Sequence, residues 1–243
     1  MKGSPQILAA AGIMRLLAAG VLVFVSGCAA PPPPQLVSAI HHVPAVMQRA
    51  AAYDLVRVAD ACPGILLRLR YATRDNFVRR AVYPKDMPCL LHRSTAAKLR
   101  AAQQGLAPHG LRLVIWDAWR PPEVQQVFWD LIRNPDYVAR PGRGEKWSWH
   151  NHGRAVDVTL ADAHGNLLPM PTDFDDFSPR AKADYAGTDA RIAHRVRLLQ
   201  AEMLRAGFER LDSEWWHFSD TVDPRPPRPV FGADLGLTAQ APP

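Results

Sequence analysis

The ten residues SWHNHGRAVD, Ser148 to Asp157, hold two histidines and an aspartate, with Gly153 between the second histidine and the acid. Imidazole nitrogens and carboxylate oxygens are ligands that zinc prefers, in a tetrahedron whose fourth corner is left to water when the site is catalytic. His150 and Asp157 lie seven residues apart. A helix would nearly align them, but Gly153 and the alternation after it argue for a loop leading into a strand, with Asp157 at the strand's start and His150 across a turn. A third ligand has to come from elsewhere, and EWWHF supplies His217, with Glu214 three positions before it.

Together these motifs resemble the zinc D,D-dipeptidase and D,D-carboxypeptidase family, the enzymes that cut D-alanyl-D-alanine, and most closely its dipeptidase branch. The pattern SxHxxGxAxD is matched at Ser148, His150, Gly153, Ala155 and Asp157, and ExxH at Glu214 and His217. The likeness extends to YATRDNF at 71–77, IWDAWRP at 115–121 and FDDF at 174–177. Any one segment alone would be weak; five in the same order, over roughly residues 53–220, are specific. The resemblance implies one α+β domain, a small antiparallel sheet with flanking helices and one zinc ion in a cleft, the architecture shared with hedgehog-like proteins.

The resemblance also implies the roles. His150, Asp157 and His217 are the zinc ligands; Glu214 is the catalytic base, beside the metal but not bound to it. Arg120 is the arginine beside the scissile carbonyl, where paired donors stabilise a developing oxyanion. Ser148 contacts the substrate, Asp175 holds its free ammonium, and Tyr71 helps to close that end. A substrate acylated at its amine would leave Asp175 unpaired and desolvated, at a cost on the order of several kcal/mol, which favours a dipeptidase over a carboxypeptidase. Two alternatives stay open: a carboxypeptidase or endopeptidase trimming peptidoglycan stem peptides, and a non-catalytic zinc module that binds wall fragments. The presence of Glu214 and Arg120 speaks against the second.

Other residues have plainer readings. Lone histidines such as His41, His92, His109 and His194 are ordinary surface or core residues. His152 is read as a rim residue because the family pattern leaves its position free, and His164 as part of a turn. Trp215 and Trp216 are read as core and wall, and Asp117 as the anchor of a turn.

The ends carry different information. Lys2 and Arg15 precede the apolar run LLAAGVLVFVSG, about a dozen residues where roughly 18–20 are needed to span a bilayer. That is the layout of a secretory signal rather than a permanent membrane helix. VSGC, Val25 to Cys28, resembles the lipobox of bacterial lipoproteins, which makes Cys28 the lipidated residue. The expected organisation is a signal over 1–28, a Pro-rich extended tether over 29–45, a catalytic domain over 46–222 and an irregular Pro- and Arg-rich tail over 223–243. The protein is then exported and lipid-anchored at the periplasmic face of a bacterial membrane, most simply the outer one.

In an oxidising compartment the remaining pair, Cys62 and Cys89, is expected to form a disulfide, with two buried free thiols as the other reading. The formal charge of +6 is spread without long basic runs, which argues against nucleic acid and leaves a dipeptide, peptidoglycan fragments and the membrane as partners.

Between the motifs, the pattern predicts a strand around Ile65 to Tyr71, a helix opened by Ser94, a strand Leu111 to Trp116, and a helix whose first turn carries Pro122 and Glu123. It further predicts a hairpin turning at His164–Asn166, a helix with Ile192, Val196, Leu199 and Met203 on one stripe, and a last strand in SEWWHFSD.

Overall fold

The computed structural model describes residues 36–37, 39–40, 42–142, 147–222, 224–226 and 228–238. The expected signal, Cys28, residues 29–35 of the tether and His41 lie outside the described residues. No helix among the described residues is long and apolar enough to cross a membrane.

In chain order the elements are α1 (Val43–Ala51), β1 (Leu55–Arg57), α2 (Val58–Ala61), β2 (Leu66–Leu67), β3 (Leu90–His92), α3 (Arg93–Leu106), β4 (Arg112–Asp117), α4 (Pro122–Ile132), β5 (Ala155–Ala161), α5 (Ala190–Arg205), β6 (Glu209–Leu211) and β7 (Glu214–Ser219). Five strands form the main sheet in the order β2-β4-β5-β7-β6, and β1 and β3 form a separate antiparallel pair. The class is α+β, as expected.

The sheet is not purely antiparallel, however. β2 pairs parallel to β4, Leu66 opposite Val114, because the chain between them crosses over through β3 and α3 instead of turning back in a hairpin. β5 lies at the centre of the order with all seven residues buried, as a strand covered on both faces must be.

Helix periodicity sets the packing around it. α3 buries Thr95, Ala96, Leu99, Ala102, Gln103 and Leu106, and α5 buries Val196, Leu199 and Met203, each a stripe at three- and four-residue spacing. Ile192, predicted on the α5 stripe, is only partly buried. The cap of α3 also differs from expectation. The helix starts at Arg93, His92 accepts from the Ser94 amide, and the Ser94 hydroxyl turns to Asp220.

Several boundaries shift. The tether ends earlier than predicted, since α1 starts at Val43. The strand over 65–71 shrinks to β2 followed by a 3-10 turn at Arg70–Ala72. The hairpin after β5 keeps its turn, tied by Asp162 accepting from the His164 and Asn166 amides, but its return strand is a single bridge, Ala161 to Leu167.

The described residues of the tail contribute to the core. Leu235 and Leu237 are buried, Leu36 bridges Thr238, and the Gly232 and Ala233 amides donate to the buried Glu123 carboxylate. The described prolines of the tail, which lack an amide donor, end at Pro229, and the chain after them makes a single 3-10 turn, Ala233–Leu235, that places Leu235 in the core. The disulfide is also corrected: Cys62 and Cys89 are buried free thiols, with Cys62 donating to the Ala96 carbonyl at 3.1 Å.

Candidate metal centre and active site

Two irregularities in the sheet build the site. Along β4 and β5 the pairing runs regularly to Ile115 opposite Val158, then shifts so that Asp117 stands opposite Asp157. The extra residue is a β-bulge at Trp116, a device that re-aims side chains at a strand's end. Along β6 and β7, Arg210 pairs with Phe218 but Leu211 with Glu214, so β7 carries extra residues between them. In a regular strand Glu214 and His217, three apart, would face opposite sides. The break brings both into one cleft.

That cleft has a volume of about 510 Å³. Into it come Asp157 from β5 and His217 from β7, cross-strand partners in the ladder. His150 joins them from a 3-10 turn, Trp149–His152, which ends at Gly153 with φ of +66°. A side chain at Gly153 would be strained and would also collide with Leu55, so the motif's glycine is a packing and backbone requirement.

His150 Nε2, His217 Nδ1 and Asp157 Oδ1 form a small triangle. His150 to His217 is 3.2 Å, His150 to Asp157 3.3 Å, and His217 to Asp157 3.0 Å. Zinc with ligands at about 2.0–2.1 Å in a tetrahedron spaces them about 3.3–3.4 Å apart, so the donor set fits the ion with small adjustment. The remote nitrogens are also fixed, as metal-binding imidazoles require. His150 Nδ1 donates to the Ala118 carbonyl at 2.7 Å, leaving Nε2 with its lone pair inward, and His217 Nε2 meets Ser219 Oγ at 2.9 Å. Burial opposes the charge on Asp157, yet the two imidazoles hold its carboxyl well below the usual carboxylate range.

Arg120, buried at the end of the bulge, is held from several sides. Nε donates to Asp117 at 2.8 Å, Nη1 to Gln125 at 3.0 Å, and Nη2 reaches Asp117 at 2.6 Å and Asp157 at 3.4 Å. Of the five N–H groups of a guanidinium, this leaves one on Nη1 uncommitted. Asp117, read from sequence as a turn anchor, is instead a fully buried carboxylate that also accepts from Tyr83 at 2.6 Å.

At the other end, Asp175 accepts from the Tyr71 hydroxyl at 2.9 Å and from the Phe77 amide at 3.1 Å. Its φ of +60° is unusual for a residue with a side chain and is kept only where the surroundings enforce it. Burial pushes its carboxyl up to about 7, against those two donors. Glu214 is likewise pushed up to about 7 by burial, with His217 opposing and Asp157 adding to the rise. Ser148 caps the 3-10 turn by accepting from the His150 amide, which leaves its own O–H free to donate into the cleft.

Thus Tyr71, Arg120, Ser148, His150, Asp157, Asp175, Glu214 and His217 all border one cleft, whereas His92, His109 and His194 do not. His152 is corrected: it is buried, not at the rim, and burial with the cations of Arg225 and Arg154 pushes its pKa down to about 4. Trp215 lies in the core and Trp216 lines the cleft. Asp117, Gln125 and Arg225 were missed. Only Asp117 had a signal, its place three residues before Arg120.

The profile of a family described as D-ala-D-ala dipeptidase matches residues 51–231. The chain is 36% identical over 165 residues to the D-alanyl-D-alanine dipeptidase of Escherichia coli (strain K12), covering 68% of this chain and 83% of that one. It is 28% identical over 180 residues to the D-alanyl-D-alanine dipeptidase of Enterococcus faecium, covering 67% and 89%. With that of Streptomyces coelicolor the identity is 27% over 190 residues, covering 71% and 94%. Among solved structures, a mutant of a vancomycin resistance D,D-pentapeptidase in complex with Zn(II) aligns at a TM-score of 0.37 and 17% identity, covering 55% of this chain and 74% of that one. A likeness that slight carries no argument.

Proposed function

The chain belongs to the D-ala-D-ala dipeptidase family, and on that premise we propose that it hydrolyses free D-alanyl-D-alanine to two molecules of D-alanine in the cleft bordered by His150, Asp157 and His217. The observation that carries the reading is the triangle of three donor atoms 3.0–3.3 Å apart, set in a cleft that also holds Glu214, Arg120 and Asp175. A zinc ion held by those three residues would acidify a bound water and polarise the peptide carbonyl.

The chain's own groups divide the remaining work. Glu214, set in the cleft beside His217, takes the proton from the attacking water and delivers it to the leaving amine nitrogen. Arg120, locked by Asp117 and Gln125, presents its remaining Nη1 donor where the carbonyl oxygen gains charge. Asp175 binds the substrate ammonium, and Tyr71 and the Phe77 amide hold that carboxylate in place. Ser148 offers its hydroxyl to the peptide.

Two substrates and a chelator test the reading. Purified enzyme should release D-alanine from the dipeptide, lose activity with a chelator and regain it with zinc, while N-acetyl-D-alanyl-D-alanine is cut poorly. Efficient cleavage of the blocked substrate would move the assignment to a carboxypeptidase of peptidoglycan stem peptides. No release from either would reject the activity.

The same proposal includes an address. Lys2, Arg15, the apolar run and Cys28 support export and lipid anchoring at the cell envelope, where the substrate is a product of wall turnover. Metabolic labelling with a palmitate analogue, lost in Cys28→Ala, tests that part.

A further inference from the structure

Three arginines line the cleft: Arg120, Arg210 and Arg225. Arg120 is committed to Asp117 and Asp157, and Arg210 to Asp184 and Asp212. Among the described residues Arg225 meets no carboxylate within ion-pair distance, and burial alone draws its pKa below the ordinary arginine value. Two contacts fix its position. Nη1 donates to the Trp147 carbonyl, and the guanidinium carbon sits 3.6 Å from the centre of the Trp149 ring. Trp149 is the chain neighbour of both Ser148 and His150. The cation is therefore stacked beside the proposed metal ligands, half-buried, with most of its N–H donors unspent among the described residues.

A guanidinium in that state matches a carboxylate in both charge and fork geometry. The reaction supplies one carboxylate, and the other two arginines of the cleft are already paired with carboxylates of the chain. We propose that Arg225 is a specificity-determining residue that takes the α-carboxylate of the dipeptide, so that the cleft reads both ends of a zwitterion, Asp175 the ammonium and Arg225 the carboxylate. This rests on the dipeptidase reading and deepens it. The stack on Trp149 gives the arginine a fixed pose before substrate arrives, which lowers the ordering cost of binding.

The test compares D-alanyl-D-alanine with its C-terminal amide, in the zinc-loaded full chain and in Arg225→Ala and Arg225→Lys. Wild type should favour the acid over the amide by about 10²-fold in kcat/KM. Arg225→Ala should lose about 10²-fold on the acid, mainly through KM, and little on the amide, so that the preference disappears. Arg225→Lys keeps the charge without the fork; it should lose about tenfold on the acid alone, and it carries the test if the alanine variant does not fold. Equal losses on both substrates would mean that Arg225 only braces the Trp147–Trp149 segment, and unchanged kinetics on the acid would overturn the proposal outright. If wild type cleaves neither substrate, the dipeptidase reading fails first and the proposal with it.

Discussion

Asp117 stands directly across from Asp157 in the β4–β5 ladder, and Arg120 bridges the two carboxylates, 2.6 Å from one and 3.4 Å from the other. Like charges facing each other in a buried ladder repel, so the guanidinium is needed for the strands to pair in this register. It also ties the proposed oxyanion donor, Arg120, directly to Asp157, one of the three residues proposed to hold zinc. Removing one member of such a buried set strands the others. Asp117→Ala should destabilise the fold by about 3–5 kcal/mol in denaturant titrations. Asp117→Asn, which keeps the shape, should lower kcat by about 10²-fold through a misaimed Arg120. Wild-type kcat in the asparagine variant would show that Arg120 does not depend on it.

On the proposed reading Asp175, held by Tyr71 and the Phe77 amide at one end of the cleft, selects for a free amine. Asp175→Asn should raise KM for the free dipeptide by about 10²-fold while changing turnover of the N-acetylated dipeptide little, because the blocked substrate never made that ion pair. Steady-state kinetics on both substrates read this directly. Parallel losses would place Asp175 in loop structure, where its φ of +60° already gives it a part, and not in recognition.

The pH dependence follows from two raised carboxyls. In the metal-free protein Glu214 and Asp175 are both pushed up to about 7 by burial. A bound cation would draw Glu214 down, so on the proposed roles Asp175, which must be ionised to meet the ammonium, sets the acid limb of the loaded enzyme. kcat/KM should therefore fall as pH drops below about 7 and level off above it. The effect on stability of the metal-free protein runs the other way. Between the ordinary carboxyl range and 7 the folded state holds protons that the unfolded chain has released, so stability should decline as pH rises through that window. Glu214→Gln combined with Asp175→Asn should flatten the decline; an unchanged slope would place its origin elsewhere.

The two cysteines offer a simple check on the core. Both thiols are free and buried, and burial pushes Cys62 up to about 11 and Cys89 higher still, so neither should react with a thiol reagent in the native protein. Both should titrate after denaturation without reductant. Thiols that appear only after reduction would mean a disulfide.

Much of the cluster was legible because the residues that converge sit in short, ordered motifs. His150, Gly153 and Asp157 fall within eight residues, and Glu214 and His217 within four, so the chemistry could be read before any fold was known. What escaped depends on pairing between distant segments. Nothing local to Asp117 announces a bulge at Trp116, which exists only relative to β5. Arg225 sits in a proline-rich stretch without periodicity, which reads as surface, and the short segment after it is too brief to show the pattern that would place Leu235 and Leu237 in the core. The parallel β2–β4 edge was missed for a similar reason. A two-residue strand, Leu66–Leu67, has no pattern of its own and is defined by its partner.

The central claim is that His150, Asp157 and His217 converge on one zinc ion while Glu214 stays unbound beside it. Bound zinc per chain, measured on purified protein by atomic absorption after dialysis, tests it most directly. Wild type and Glu214→Gln should each retain one zinc, the latter with kcat reduced by at least about 10²-fold, whereas His150→Ala, Asp157→Ala and His217→Ala should each lose the metal. Zinc retained at wild-type level in the three ligand variants, or lost in Glu214→Gln, would contradict the account.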